Sequence, residues 1–123
     1  MNVVDSCGWL EYFSKGLHGE HYAALIRNTA ELVVPTVCIY EVFRRIAQQR
    51  DEEEALKAMG WMSLGNVVDM TQEVALLAAA LSMEHHLPMA DSMILATARI
   101  HNAILWTQDD HFKGMEGVQF VRK

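Results

Sequence analysis

Short apolar runs of strand type alternate along this chain with segments of helical spacing, and that alternation restricts the fold more than any other feature. The runs are Asn2-Val3-Val4, Leu32-Val33-Val34, Asn66-Val67-Val68-Asp69-Met70, Ile104-Leu105-Trp106 and Val118-Gln119-Phe120-Val121. Each is too short for a buried helix and suits a buried strand. Between them, Trp9 to Phe13 begins a helix that Gly16 and Gly19 break, and His21 to Thr29 forms a second. Pro35 ends the second strand, and Thr36 is a suitable N-cap for the next helix. There Ile39, Val42, Phe43 and Ile46 fall at i, i+3, i+4, i+7, an amphipathic apolar face. Asp51 with Glu54 three residues on marks another helix start, and that helix stops near Gly65. Thr71 caps a helix closing at His85-His86, Pro88 opens the last one, and Asn102 stops it. Such alternation implies an α/β fold: a short, mainly parallel central sheet of four to five strands, flanked by helices on both faces and joined by right-handed crossovers. The 123 residues suffice for one compact domain spanning 1–123.

Composition narrows the class. Hydrophobic residues make up 51% of the chain, ample for a core, yet no apolar run approaches the ~20 residues of a membrane span. Met1-Asn2-Val3-Val4-Asp5 has no basic region leading into an apolar stretch, so no secretory signal is expected. Cys7 and Cys38, each among apolar neighbours, read as reduced, core-facing thiols. A cytoplasmic protein without membrane partners fits these features. The net charge of -6 argues against a domain living by non-specific phosphate contacts, which is usually basic. Any nucleic acid must then dock on local basic spots, either Arg44, Arg45 and Arg50 or Lys113, Arg122 and Lys123.

The acids carry the chemical information. Asp5 follows the first strand, Glu41 lies in the helix after the second, Asp91 falls in the first turn of the helix that Pro88 opens, and Asp109 follows the fourth strand. All four are predicted at the carboxyl end of the sheet, which borders the ligand crevice of open α/β folds. Each has a plainer role: Asp5 as a helix cap, Glu41 as partner of Arg45, Asp91 as complement to a helix dipole, Asp109 or Asp110 as turn residues. Their convergence distinguishes them. Like charges in one cleft raise each other's pKa, and a hard divalent cation relieves that; Mg²⁺ or Mn²⁺ suits an oxygen-rich donor set. Such an ion can activate a water and hold a phosphoryl oxygen, so hydrolysis of a phosphate ester is expected. Ser6 and Thr107 are candidates to hydrogen-bond a carboxylate or a water. No zinc site is expected, because His85 and His86 are adjacent and point apart on a helix. The eight methionines are expected to fill the core.

Taken together, Val3-Val4-Asp5-Ser6-Cys7, Pro35-Thr36 with Glu41, Leu87-Pro88-Met89-Ala90-Asp91-Ser92-Met93-Ile94-Leu95-Ala96-Thr97-Ala98 and Leu105-Trp106-Thr107-Gln108-Asp109-Asp110-His111-Phe112 resemble the PIN-domain family. Within it the chain is similar to the VapC-type toxins of type II toxin–antitoxin systems. The resemblance spans essentially the whole chain, and Thr-x-Asp-x-x-Phe with the Pro-x-Ala-Asp helix start carries most of it. It implies a Mg²⁺- or Mn²⁺-dependent endoribonuclease hydrolysing RNA phosphodiester bonds. Asp5, Glu41, Asp91 and Asp109 would be its catalytic acids, with Asp5, Asp91 and Asp109 on the metal and Glu41 acting through a water or as a ligand. Thr107, Ser6 and Asp110 would support them. It also implies a homodimer, and a heterotetramer or larger complex with a cognate antitoxin whose C-terminal segment blocks the site. Two features depart from the pattern. Asp110 adjoins Asp109, so either could ligate, and Met89 is bulkier than the small or hydroxyl residues common before this aspartate.

Two non-catalytic readings compete. A receiver-like signalling module also ends strands with aspartates; Asp69 could mimic its phosphoacceptor, but no lysine follows a strand in the required place. An inactive PIN domain kept for binding a partner would tolerate loss of Glu41.

Overall fold

The computed structural model describes residues 1–122. Lys123, one of the basic candidates above, lies outside the described residues. The elements are β1 (Asn2–Val4), α1 (Ser6–Phe13), α2 (Gly19–Arg27), β2 (Val33–Pro35), α3 (Thr36–Gln49), α4 (Glu52–Met62), β3 (Asn66–Val68), α5 (Gln72–His85), α6 (Met89–Ile100), β4 (Ile104–Thr107) and β5 (Val118–Phe120). Short 3-10 turns occupy Thr29–Glu31 and Asp110–Phe112.

Every strand pairing is parallel. β4 lies between β1 and β5, while β2 pairs with β3. One parallel bridge, Asn2 to Leu32, joins the pair to the β1 edge of the three-stranded sheet, giving the order β3-β2-β1-β4-β5. The chain steps outward in one direction through β1, β2 and β3, then in the other through β4 and β5. Between β1 and β4 the order reverses, and ligands of open α/β sheets bind at the carboxyl ends of the strands at such a switch point. Val3 is in register with Leu105 and Val4 with Trp106, so Asp5 and Thr107 emerge side by side.

The expected alternation is therefore present, with shifts at the ends. Pro35, not Thr36, occupies the N-cap of α3 and makes no side-chain cap bond; Thr36 is the first helical residue, because Pro35 already holds extended backbone at φ -66. Helix α1 starts at Ser6 rather than Trp9, since the Asp5 carboxylate accepts from the Ser6 N–H and caps it. Asp51 and Thr71 cap α4 and α5 as expected, accepting from the N–H groups of Glu54 and Val74. Asn102 takes a left-handed φ of 53 just past α6, consistent with a stop. The weakest strand is β3, shorter than the run Asn66–Met70 and mostly exposed at the sheet edge. Asp69, just beyond this edge strand, is exposed, so it does not stand on the central strand that a receiver-like phosphoacceptor needs.

The core is built on Val3, Val4, Val33, Val34 and Leu105 from the strands, with Trp9, Tyr22, Met62, Ile94 and Leu95 from the helices, all essentially inaccessible. Met62 is the core methionine; Met59, Met70, Met83 and Met89 are exposed, so the methionines are not uniformly filler. Both cysteines are free thiols, Cys38 buried and Cys7 half-buried. No helix among the described residues is long and apolar enough to cross a membrane.

Gly8 lets α1 approach β1 and α2. A Cβ there would lie 2.6 Å from the Tyr22 ring and 2.7 Å from Val4 Cγ1, both fully buried. Gly8→Ala should therefore cost about 1–3 kcal/mol through overpacking. Gly60→Ala on α4, where nothing lies within 4 Å, should stabilise by about 0.4–1 kcal/mol. Denaturant unfolding of both variants checks this, the two midpoints moving in opposite directions.

Candidate active site

The four acids come from four elements and line one cleft. Asp5 follows β1 and caps α1, Glu41 sits on α3, Asp91 in the first turn of α6, and Asp109 past the end of β4. Asp5, Glu41, Asp91 and Asp109 share this cleft of about 350 Å³ with Ser6, Cys7, Tyr40, Arg44 and Arg45. It opens at the carboxyl ends of β1 and β4, where the strand order places a crevice.

Asp5 is held most tightly. It is only 4% exposed; its Oδ2 accepts from Thr107 Oγ1 at 2.7 Å and its Oδ1 from the Ser6 N–H at 2.8 Å. Cys7 Sγ lies 3.5 Å from Oδ2. Burial pushes the Asp5 carboxyl up from 3.8 to about 6, with the Thr107 and Ser6 hydrogen bonds opposing the rise and the charge of Asp91 adding to it. Burial also pushes the Cys7 thiol up, to about 12, aided by the Asp5 charge, so Cys7 remains a neutral thiol. Thr107 is fully buried. It donates to Asp5 and accepts from the Asp109 N–H at 3.0 Å, so one hydroxyl ties two of the acids together.

Ser6 links a third acid, its hydroxyl donating to Glu41 Oε1 at 2.7 Å. The plainer partner considered for Glu41, Arg45, forms no ion pair with it among the described residues; Arg45 instead lines the same cleft. Asp5 both caps α1 and lines the cleft. Asp110 does not line the cleft. It is exposed at the start of the 3-10 turn, whereas Asp109 points its Oδ1 at the His111 N–H, 2.9 Å away.

His111 was not among the site residues expected from the sequence. Its Nδ1 lies 2.8 Å from Asp91 Oδ2 and 3.3 Å from Asp109 Oδ1. The Asp91 carboxyl is raised by burial, its side chain being 14% exposed, against the opposing hydrogen bond from His111. His111 is itself raised above 6.5, first by its bond to Asp91. The spacing Asp109-x-His111 was the available signal, hidden because neither residue lies on a periodic element.

A second, more apolar groove of about 470 Å³ continues from the cleft between α1, α3 and α4. It shares Cys7, Leu10 and Arg45 with the cleft and runs past Ile46 and Arg50 to Lys57 and Trp61. The other basic candidates lie elsewhere: Lys113 sits 5.7 Å over the Phe120 ring, and Arg122 is exposed at the chain end.

The donor set fits a hard divalent cation: the Asp5 oxygens are held by a hydroxyl and a backbone N–H, Asp91 and Asp109 face the His111 ring, and no lysine or arginine pairs with Asp5, Asp91 or Asp109 among the described residues.

The PIN domain family model matches residues 3–118. No curated protein matches the chain. Among solved structures, a toxin–antitoxin complex from Klebsiella pneumoniae is similar at 25% identity and a TM-score of 0.81, over 97% of this chain and 96% of that one. VapBC2 from Rickettsia felis, solved bound to a DNA fragment from its promoter, is similar at 14% identity and 0.76, over 98% and 96%. The sarcin–ricin loop cleaving toxin VapC20 of Mycobacterium tuberculosis is similar at 12% identity and 0.71, over 84% and 85%. At the two lower identities the likeness is one of fold.

The raised groups set a pH dependence. An acid with a higher pKa folded than unfolded keeps a proton in the native state that the unfolded state releases, so its contribution to stability falls as pH rises between the two values. For Asp5 that window runs from 3.8 to about 6. Asp91 acts in the same direction, and His111 loses its contribution as pH rises above 6.5. Without divalent cations, Asp5→Asn should be more stable than wild type at neutral pH, and the gap should close on acidification through the Asp5 window. Thermal melts of both proteins across a pH series check this.

Proposed function

The chain belongs to the PIN domain family, and from that premise we propose that it is a metal-dependent endoribonuclease, the toxin of a type II toxin–antitoxin pair. The observation that carries this reading is the meeting of Asp5, Glu41, Asp91 and Asp109, from four separate elements, in one cleft beside Arg44 and Arg45.

Asp5, Asp91 and Asp109 would hold Mg²⁺ or Mn²⁺, which supplies Lewis-acid charge for a phosphodiester oxygen and for the attacking water. The rest falls to the chain's own side chains. Thr107 and the Ser6 N–H fix both oxygens of Asp5, so this buried carboxylate is oriented before any ligand arrives. Glu41, steadied by Ser6 Oγ at one oxygen, would accept a proton from the attacking water through the other. Arg44 and Arg45 supply positive charge at the cleft wall, where a phosphate backbone would dock despite the net charge of -6. Arg50 and Lys57 extend that basic path along the neighbouring groove.

The partner is read from the same surroundings. Several structural neighbours are toxin–antitoxin complexes, and the groove beside the cleft offers Leu10, Phe13, Ile46 and Trp61 to an antitoxin segment that would cover the site. Leu76 and Met83, one face of α5, are 66% and 75% exposed, which supports a homodimer.

Asp91→Asn, which removes one charge from the cleft and keeps the shape, should lower RNA cleavage by at least about a hundredfold and abolish growth arrest while the circular dichroism spectrum stays unchanged. Mapping RNA ends after brief expression of both proteins gives the test. Wild-type protein free of antitoxin that cuts no cellular RNA with Mg²⁺ or Mn²⁺, or a variant that cuts as well as wild type, would overturn the reading.

A further inference from the structure

The carboxylate quartet omits His111, the one imidazole paired with any of its members among the described residues. His111 stands on the 3-10 turn that Phe112 anchors in the core, Phe112 being fully buried. Its backbone N–H is tied to Asp109 Oδ1 at 2.9 Å, so the imidazole leaves the chain from a fixed point. Nδ1 lies 2.8 Å from Asp91 Oδ2 and 3.3 Å from Asp109 Oδ1. One donor atom from each of these three side chains falls within 4.8 Å of both others. In octahedral coordination with bonds of about 2.1 Å, adjacent donors lie about 3.0 Å apart and opposite ones about 4.2 Å. The two imidazole distances bracket the first of these values. The ring is 56% exposed, so it can shift by tenths of an ångström without disturbing the core.

We propose that His111 is a direct ligand, through Nδ1, of the divalent cation that Asp91 and Asp109 hold, and that this nitrogen turns the site toward Mn²⁺ over Mg²⁺. The inference rests on the reading of the cleft as a cation site. An imidazole suits first-row transition ions, whereas Mg²⁺ favours oxygen donors and keeps several waters. An all-carboxylate set would discriminate less between them.

The test uses the full chain with Mn²⁺ alone as the probe. Pulsed electron paramagnetic resonance of the Mn²⁺-loaded protein should show coupling to a directly bound ¹⁴N. Replacement of one histidine among six, His111→Ala, should remove that coupling. It should also weaken Mn²⁺ binding by about tenfold or more in calorimetric titration, with a much smaller change for Mg²⁺. His111→Gln, which keeps a polar group on the turn, should lose the coupling too and controls for folding. Mn²⁺ binding that is sensitive to Asp91→Asn but shows no nitrogen coupling would overturn the inference while the cation site stands. So would coupling that persists in His111→Ala, or tighter binding in that variant, since the imidazole would then merely compete for the carboxylates. No binding of Mn²⁺ at all would overturn both.

Discussion

A single hydroxyl joins the two central strands of this protein to its chemistry. Thr107, at the end of β4, donates to the Asp5 carboxylate at the end of β1 and accepts the Asp109 N–H. The parallel register of Val4 with Trp106 makes that meeting possible, and the reversal of strand order between β1 and β4 leaves an open crevice above it. Asp5 is nearly inaccessible and would be costly to bury without these bonds. Its position is thus set by the sheet, and the acids on α3 and α6 converge on it.

That convergence has an electrostatic cost that shapes the remainder of the cleft. Burial and mutual repulsion raise Asp5 and Asp91. The compensations within the chain are local: Thr107 and Ser6 for Asp5, Ser6 Oγ for Glu41, His111 for Asp91. Arg44 and Arg45 line the wall but form no ion pair with the four acids among the described residues, which leaves their charge available to an anionic ligand. A cation between the acids and a phosphate beside the arginines would neutralise both halves of one cleft. On that reading the acidity of the site and a net charge of -6 would be compatible with an anionic ligand in the same cleft.

Much of this was legible in the residues themselves. The five strand runs and the caps at Asp51 and Thr71 follow from local patterning, and the parallel sheet follows from their alternation with helices. The PIN-like motifs around Asp5, Glu41, Asp91 and Asp109 marked the acids, which the fold then gathers into one cleft. Other features needed three dimensions. Thr36 has the chemistry of a cap, but Pro35 before it already fixes the backbone that a cap residue requires. Which of Asp109 and Asp110 faces the cleft is set by a 3-10 turn only three residues long, too short for any periodicity to reveal. His111 lies on that same turn, and only the fold brings it to Asp91 on α6. The exposure of Met83 and Met89 was equally invisible, because composition does not say which face of a helix a methionine occupies.

The central claim is that these carboxylates are gathered to hold a doubly charged ion, and the thermal midpoint measures it most directly. A ligand that binds only the folded state raises the midpoint, and the stabilisation grows with the logarithm of its concentration above the dissociation constant. At constant ionic strength and neutral pH, adding Mn²⁺ in place of Na⁺ should raise the midpoint of the wild-type protein, and the rise should vanish in Asp91→Asn. An unchanged wild-type midpoint, or an equal rise in the variant, would contradict the account.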